Sequence, residues 1–185
     1  MRRTAQETRD HVLGVARDLF YWNGIRATGI DTVARRAGVA PTTLYRLFPS
    51  KDDLVGAYVE ADAEGYRAWF TGAVAAAGDD PREQVLAVFD ALAVQVRPEN
   101  CRGCPFVMAL TEFPEPDLPA HVAAVALKSW VRERFTELAA DLGRRELGDH
   151  LALIMEGVYA SVQALGDDGP ARAARALVGA VLGAG

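Results

Sequence analysis

Apolar residues recur along this chain at spacings of three and four, and the rhythm stops at glycine, proline or a short acidic run. That period is helical. The first segment, residues 4–23, repeats Val12, Ala16, Leu19 and Phe20 and ends at Gly24. Thr28-Gly29-Ile30-Asp31 then matches a capping box, which predicts that the Thr28 hydroxyl caps a short helix burying Val33, Ala34 and Ala37. Gly38 ends that helix, and Pro41 stands where the next one starts, because its missing N–H is not needed there. Leu44 and Phe48, four apart, form the inward side of this second short helix. Ser50 and Asp53 make another capping box, opening a longer helix that runs through Leu54, Ala57, Tyr58 and Ala61.

After Gly78-Asp79-Asp80-Pro81 a stripe of Val85, Phe89, Leu92 and Val96 predicts a further helix. The segments RPENCRGCPF and FPEPDLP interrupt the pattern on either side of a short helical stretch, FVMALTE. A long amphipathic helix is expected over residues 119–141, and GDHLALIMEGVYASVQALG and PARAARALVGAVL read as two more. No period-two alternation and no internal repeat is present. The expected fold is all-α, of about nine helices.

Composition adds bounds. The length of 185 residues suits one compact unit or two small ones. No apolar run reaches the length of a membrane span, and charges interrupt the N-terminal segment too often for a secretory leader, so the expected location is cytoplasmic. The formal net charge of -5 argues at first against nucleic acid. Its distribution reverses that: residues 1–51 hold nine Lys/Arg against four Asp/Glu, and the remainder holds 11 against 21. A basic head on an acidic body fits one part that meets phosphate and another that does not.

The head carries the chemistry for that meeting. Two short helices joined by a glycine turn are the parts of a helix-turn-helix, whose second helix enters the major groove. Pro41, Thr42 and Thr43 are compact enough to lead it in, and Arg46 can offer a bidentate fork to guanine. Tyr45 points away from the Leu44–Phe48 side and can donate to phosphate. Lys51, in a helix's first turn, and Thr28, as a cap, complete the expected phosphate contacts.

These residues carry a resemblance. IRATGIDTVARRAGVAPTTLYRLFPSKDDL is similar to the DNA-binding region of TetR-type transcriptional repressors, with Thr28, Ala37-Gly38-Val39, Thr43-Leu44-Tyr45, Phe48, Lys51 and Leu54 in register over roughly the first 60 residues. One departure is Ala40, where a serine cap is common in that family. The resemblance implies a DNA-binding domain over residues 1–60 and a ligand-binding and dimerisation domain over 61–185. It also implies a homodimer on a near-palindromic operator and release by a small-molecule inducer. RGCPFVMALTEFPEPDLPAH resembles a segment found in a subset of the family's C-terminal domains.

For the dimer, the expected interface is Leu151, Ile154, Met155, Val158, Val162 and Leu165 with Leu177, Val178 and Val181, and Gly157, Ala160 and Ala164 permit close approach. Burial of both stripes inside one chain is the alternative. For the inducer, Tyr66, Trp69, Phe70, Phe89, Phe106, Met108, Phe113 and Trp130 suggest an apolar or aromatic pocket, although aromatic side chains at helical spacing serve cores more often than ligands. No cofactor is expected.

Cys101-Arg102-Gly103-Cys104 invites metal or thiol readings. Structural zinc takes four ligands, there is no second such pair, and of the three histidines only His121, with Glu112, falls nearby. A redox- or metal-responsive regulator reading Cys101 and Cys104 is therefore the alternative to a ligand-responsive one. An enzyme is the weakest reading, since nucleophile elbow, phosphate-binding loop and metal-binding histidine pair are all missing.

Overall fold

The computed structural model describes residues 4–183, so Arg2 and Arg3 of the basic head lie outside the described residues. Nine α-helices and two 3-10 turns are found among the described residues: α1 Ala5–Asn23, α2 Ile30–Ala37, α3 Pro41–Leu47, α4 Lys51–Ala76, α5 Pro81–Gln95, α6 Pro105–Glu112, α7 Pro119–Asp141, α8 Leu147–Leu165 and α9 Ala174–Gly183. The turns Gly166–Asp168 and Pro170–Ala173 lead into α9. The all-α expectation holds.

The chain packs as two compact units. One comprises Met1–Glu64 and Pro105–Val125, the other Gly65–Cys104 and Ala126–Gly185. In the first unit α1 opens on a capping box: Thr4 Oγ1 accepts from Glu7 N, and the Glu7 carboxylate accepts from Thr4 N. Val12, Ala16 and Phe20 are buried beneath it, and Phe20 meets Tyr58 of α4 edge to face at 5.5 Å. The inward stripe of α4 differs in phase from the expectation. Leu54, Val55, Tyr58, Val59 and Ala63 are buried, whereas Ala57 is half-buried and Ala61 exposed. Asp62 lies on the covered side because its carboxylate is paired with Arg17 of α1.

The second unit has an aromatic centre. Phe70 meets Trp130 at 5.5 Å and Phe135 at 5.2 Å, both edge to face, and Phe89 stacks on Phe135 at 5.7 Å. Each large side chain removed from water contributes about 1.5–3 kcal/mol, so this cluster is a main source of the unit's stability. Helices α7 and α8 cross closely at Gly148, where a Cβ would lie 2.6 Å from Thr136 Cα. Only a residue without a side chain fits that crossing.

Candidate nucleic-acid interface

The local sequence dictates the geometry of α2, α3 and their turn. Gly38 adopts φ 65°, ψ 32°, a left-handed conformation that residues with a Cβ resist, and its amide and that of Val39 return to the end of α2. Three residues later Pro41 opens α3 at its first position. The cap residue Ala40 supplies no side-chain hydrogen bond, so α3 starts without the polar cap that serine would give. Seven residues make a helix about 10 Å long, matched to a major groove about 12 Å wide.

Burial divides α3 into two sides. Leu44 and the following Phe48 are each 1% exposed, Leu47 is half-buried, and together they seat the helix on its unit. Pro41, Thr42, Tyr45 and Arg46 are exposed, and Thr43 lies half-buried at the border. At about 100° per residue, Thr42, Tyr45 and Arg46 share one arc opposite Leu44 and Leu47. Two cross-links from α1 fix the motif. The His11 ring hydrogen-bonds Ala37 O at 3.0 Å, and the Arg9 guanidinium lies over the Phe48 ring, 4.9 Å from its centre. Arg35 and Arg36 add exposed positive charge at the end of α2, and α3 itself carries no acid.

Two expected contacts are placed differently. Thr28 does not cap α2: the cap is Gly29, which makes no side-chain bond, and the Thr28 hydroxyl instead donates to Gly24 O at 2.8 Å. The physical reason is burial. Thr28 is 5% exposed beneath the turn, so its hydroxyl finds a carbonyl there and not an amide of α2. Lys51 is half-buried at the start of α4, where Ser50 Oγ accepts from Asp53 N. Its Nζ donates to Arg26 O at 3.1 Å, and burial lowers its pKa, against the pull of Glu112.

Residues 12–58, the span containing this motif, match the family model described as bacterial regulatory proteins of the tetR family. The structure of SCO4454, a TetR-family transcriptional regulator from Streptomyces coelicolor, superposes with a TM-score of 0.90 at 32% identity, over 97% of this chain and 96% of that one. The chain belongs to the TetR family of transcriptional regulators. An Escherichia coli HTH-type transcriptional regulator, YjdC, is 27% identical over 153 residues, covering 80% of each chain. A TetR regulator from Chloroflexus aurantiacus shares the fold at a TM-score of 0.84 and 22% identity, over 98% and 97% of the two chains. These relatives are regulators, and this TetR-family chain is a DNA-binding protein of the helix-turn-helix class and not an enzyme.

The remaining expected sites fall in several places. Of the aromatic set, Tyr66, Trp69, Phe70, Phe89 and Trp130 belong to the second unit, and Phe106, Met108 and Phe113 to the first. Phe70, Phe89, Phe106 and Phe113 are at most 5% exposed and Tyr66 is buried, while Trp69, Met108 and Trp130 are half-buried. Within the second unit these rings pack on one another, Tyr66 on Trp69, Trp69 on Phe70 and Phe70 on Trp130. A groove of about 540 Å³ there is lined by other residues, among them Ser129, Arg132, Arg145 and Asp149.

The expected dimer stripe also needs correction. Leu151, Met155, Val158, Val162 and Val178 are buried within their own chain, because α8 and α9 turn these side chains inward. Ile154 and Val181 are half-buried, and Leu165 and Leu177 exposed. The open face of α8 instead presents Leu153, Gly157, Ala160 and Ala164, and Leu153 is 72% exposed.

Both cysteines are free and buried. The Lys128 ammonium donates to Cys104 Sγ at 3.2 Å and to Glu156 Oε1 at 2.5 Å. Burial pushes the Lys128 pKa down, but Cys104 and Glu156 together outweigh it and hold the group above the ordinary lysine value. Among the described residues no three His, Cys, Asp or Glu side chains gather as a metal site, and no helix is long and apolar enough to cross a membrane.

Proposed function

We propose that this regulator is a cytoplasmic repressor that binds a near-palindromic operator as a homodimer and is released by a small apolar or aromatic inducer. Residues 1–60 are the reading head, and residues 61–185 hold the sensing and dimerisation surfaces. Arg46 reads a base edge, with Pro41, Thr42 and Thr43 leading the helix into the groove, while Tyr45 and Lys51 hold phosphate. Thr28 supports the turn behind them. Lys51 reaches phosphate by leaving the Arg26 carbonyl, and the second copy sits on the open face of α8 with Leu165 and Leu177. The observation that carries this reading is the split on α3: four exposed, polar or compact residues on one side, two buried anchors on the other.

The deciding experiment is selection of bound duplexes from a random library, with Thr43→Ala/Arg46→Ala protein as control. Enrichment of a palindromic motif that the double variant loses supports a dimeric reader. No enrichment at low salt, where phosphate binding is strongest, refutes it.

A second reading, thiol sensing, is favoured by one observation, the contact of Lys128 with Cys104. Thiol titration with DTNB separates the two: no reaction at Cys104 in the folded protein removes this alternative.

A further inference from the structure

The turn between α1 and α2 is held from outside the recognition motif. Glu112, the last residue of α6, accepts from Ile25 N at 3.0 Å through Oε1 and from Arg26 N at 2.6 Å through Oε2. The Arg26 Nε donates back to Glu112 O at 2.5 Å, and its guanidinium lies over the Phe113 ring, 5.0 Å from the centre. The Arg26 carbonyl in turn takes the Lys51 ammonium. Next to this, Ile25 is 1% exposed and Thr28 closes the turn on Gly24 O. All these groups lie in the unit that contains the helix-turn-helix.

Amides in a turn have no helical partner and need acceptors, and here one carboxylate supplies both. Hydrogen bonds to a charged acceptor are roughly twice as strong as neutral ones. The direction in which α2 leaves this turn fixes α3 through Gly38, and so fixes how the reading face meets DNA.

We propose that Glu112 is a positioning residue for DNA recognition: from the end of α6 its carboxylate holds the Ile25–Arg26 turn that aims α2 and α3. The inference rests on the DNA-binding reading above. It makes α6 a place where operator affinity is set, although α6 is outside the reading head.

The test has a sign. Glu112 carries negative charge beside Lys51 and Arg26, so Coulomb attraction alone predicts that Glu112→Gln and Glu112→Ala both tighten binding to every duplex, and equally. Positioning predicts the reverse. Affinity for the selected duplex should fall on the order of tenfold in Glu112→Ala, as expected when a charge-assisted pair is lost, and less in Glu112→Gln, which keeps one acceptor in place. The salt slope should stay as in the wild type, since no phosphate contact is removed. Hydrogen exchange should quicken at Ile25 and Arg26 and stay unchanged in α8. Tighter or unaltered binding in both variants, or unaltered exchange at the turn, overturns the proposal. Wild-type protein that binds no duplex refutes the DNA reading itself, whereas wild-type binding with an indifferent Glu112→Ala refutes only this inference. If Glu112→Ala does not fold, the Glu112→Gln comparison decides by its sign.

Discussion

Replacing Gly148 with alanine sets two effects of opposite sign against each other. An added Cβ would lie 2.5 Å from Thr136 Oγ1, 2.6 Å from Thr136 Cα and 2.9 Å from Thr136 N. Carbon atoms in good contact sit about 3.5–4.0 Å apart, so α7 and α8 would have to separate by about 1 Å. Two of the obstructing atoms are backbone, which no change of rotamer can move. Against this, alanine is the better helix former by about 0.8–1.0 kcal/mol. Overpacking costs about 1–3 kcal/mol, and displaced backbone belongs at the upper end of that range. The net expectation is a loss of about 1–2 kcal/mol. For a chain of this size each kcal/mol shifts Tm by about 2–4 °C, which gives a fall of roughly 2–8 °C. Thermal unfolding followed by far-UV circular dichroism measures it, with Gly72→Ala as the control. Gly72 lies in α4 with nothing within 4 Å of an added Cβ, so that variant should melt at the same temperature or higher. If Gly148→Ala is also raised, the close crossing of α7 and α8 is refuted.

Three further outcomes are expected. Arg46→Ala should relax preference at one base position by about 1–3 kcal/mol in a mutated-operator panel, whereas Lys51→Ala should weaken binding to all sequences and lessen the salt slope; identical behaviour of the two would remove Arg46 as a base reader. Gly157→Leu places a bulky side chain on the open face of α8, so sedimentation should show a loss of dimer with the helical signal intact, and an unchanged dimer would move the interface elsewhere. Burial holds the Asp62 carboxyl above the ordinary aspartate value, against the pull of Arg17. A raised carboxylate stabilises the fold below its unfolded pKa and loses that contribution as pH rises through the folded value. Arg17→Met lifts it further, so the variant's deficit in urea melts should grow as pH rises above the ordinary aspartate value of about 4, while Asp62→Asn removes this pH dependence; a deficit independent of pH would refute the buried-charge explanation.

The elements most legible in the sequence are those with their own punctuation. Pro119 and Asp141 bound α7 where the pattern put them, and Gly38 and Pro41 bound the turn and start of the recognition motif. Positions where two physical solutions share one pattern were not legible. Thr28 has the spacing of a cap, yet burial under Leu19 and Gly24 gives its hydroxyl a different partner. Helix α8 is apolar on both sides, so periodicity alone could not separate the side that buries Leu151 and Met155 from the side that exposes Leu153. The aromatic side chains of the second unit mark a core as readily as a pocket: Phe70 and Phe89 are buried among other rings, while Trp69 and Trp130 stay half-buried. Glu112 left no local signal at all, since its partners lie 86 and 87 positions away in the chain.

The two-sided α3 has a consequence for how this protein can change. On the proposed reading, the residues that meet DNA and the residues that anchor the helix are different residues: Thr42, Tyr45 and Arg46 reach solvent, whereas Leu44 and Phe48 are buried. Exchanges at Thr42 and Arg46 would therefore alter operator preference with little penalty in stability, since exposed substitutions typically stay within about 0.5 kcal/mol, whereas Tyr45 holds phosphate on that reading and Pro41 sets the start of the helix. A helix divided in this way would behave as an interchangeable cassette: duplicated copies of such a gene could drift to new operators while keeping the same body, and a designer could recode the address at Thr42 and Arg46, leaving Leu44 and Phe48 untouched.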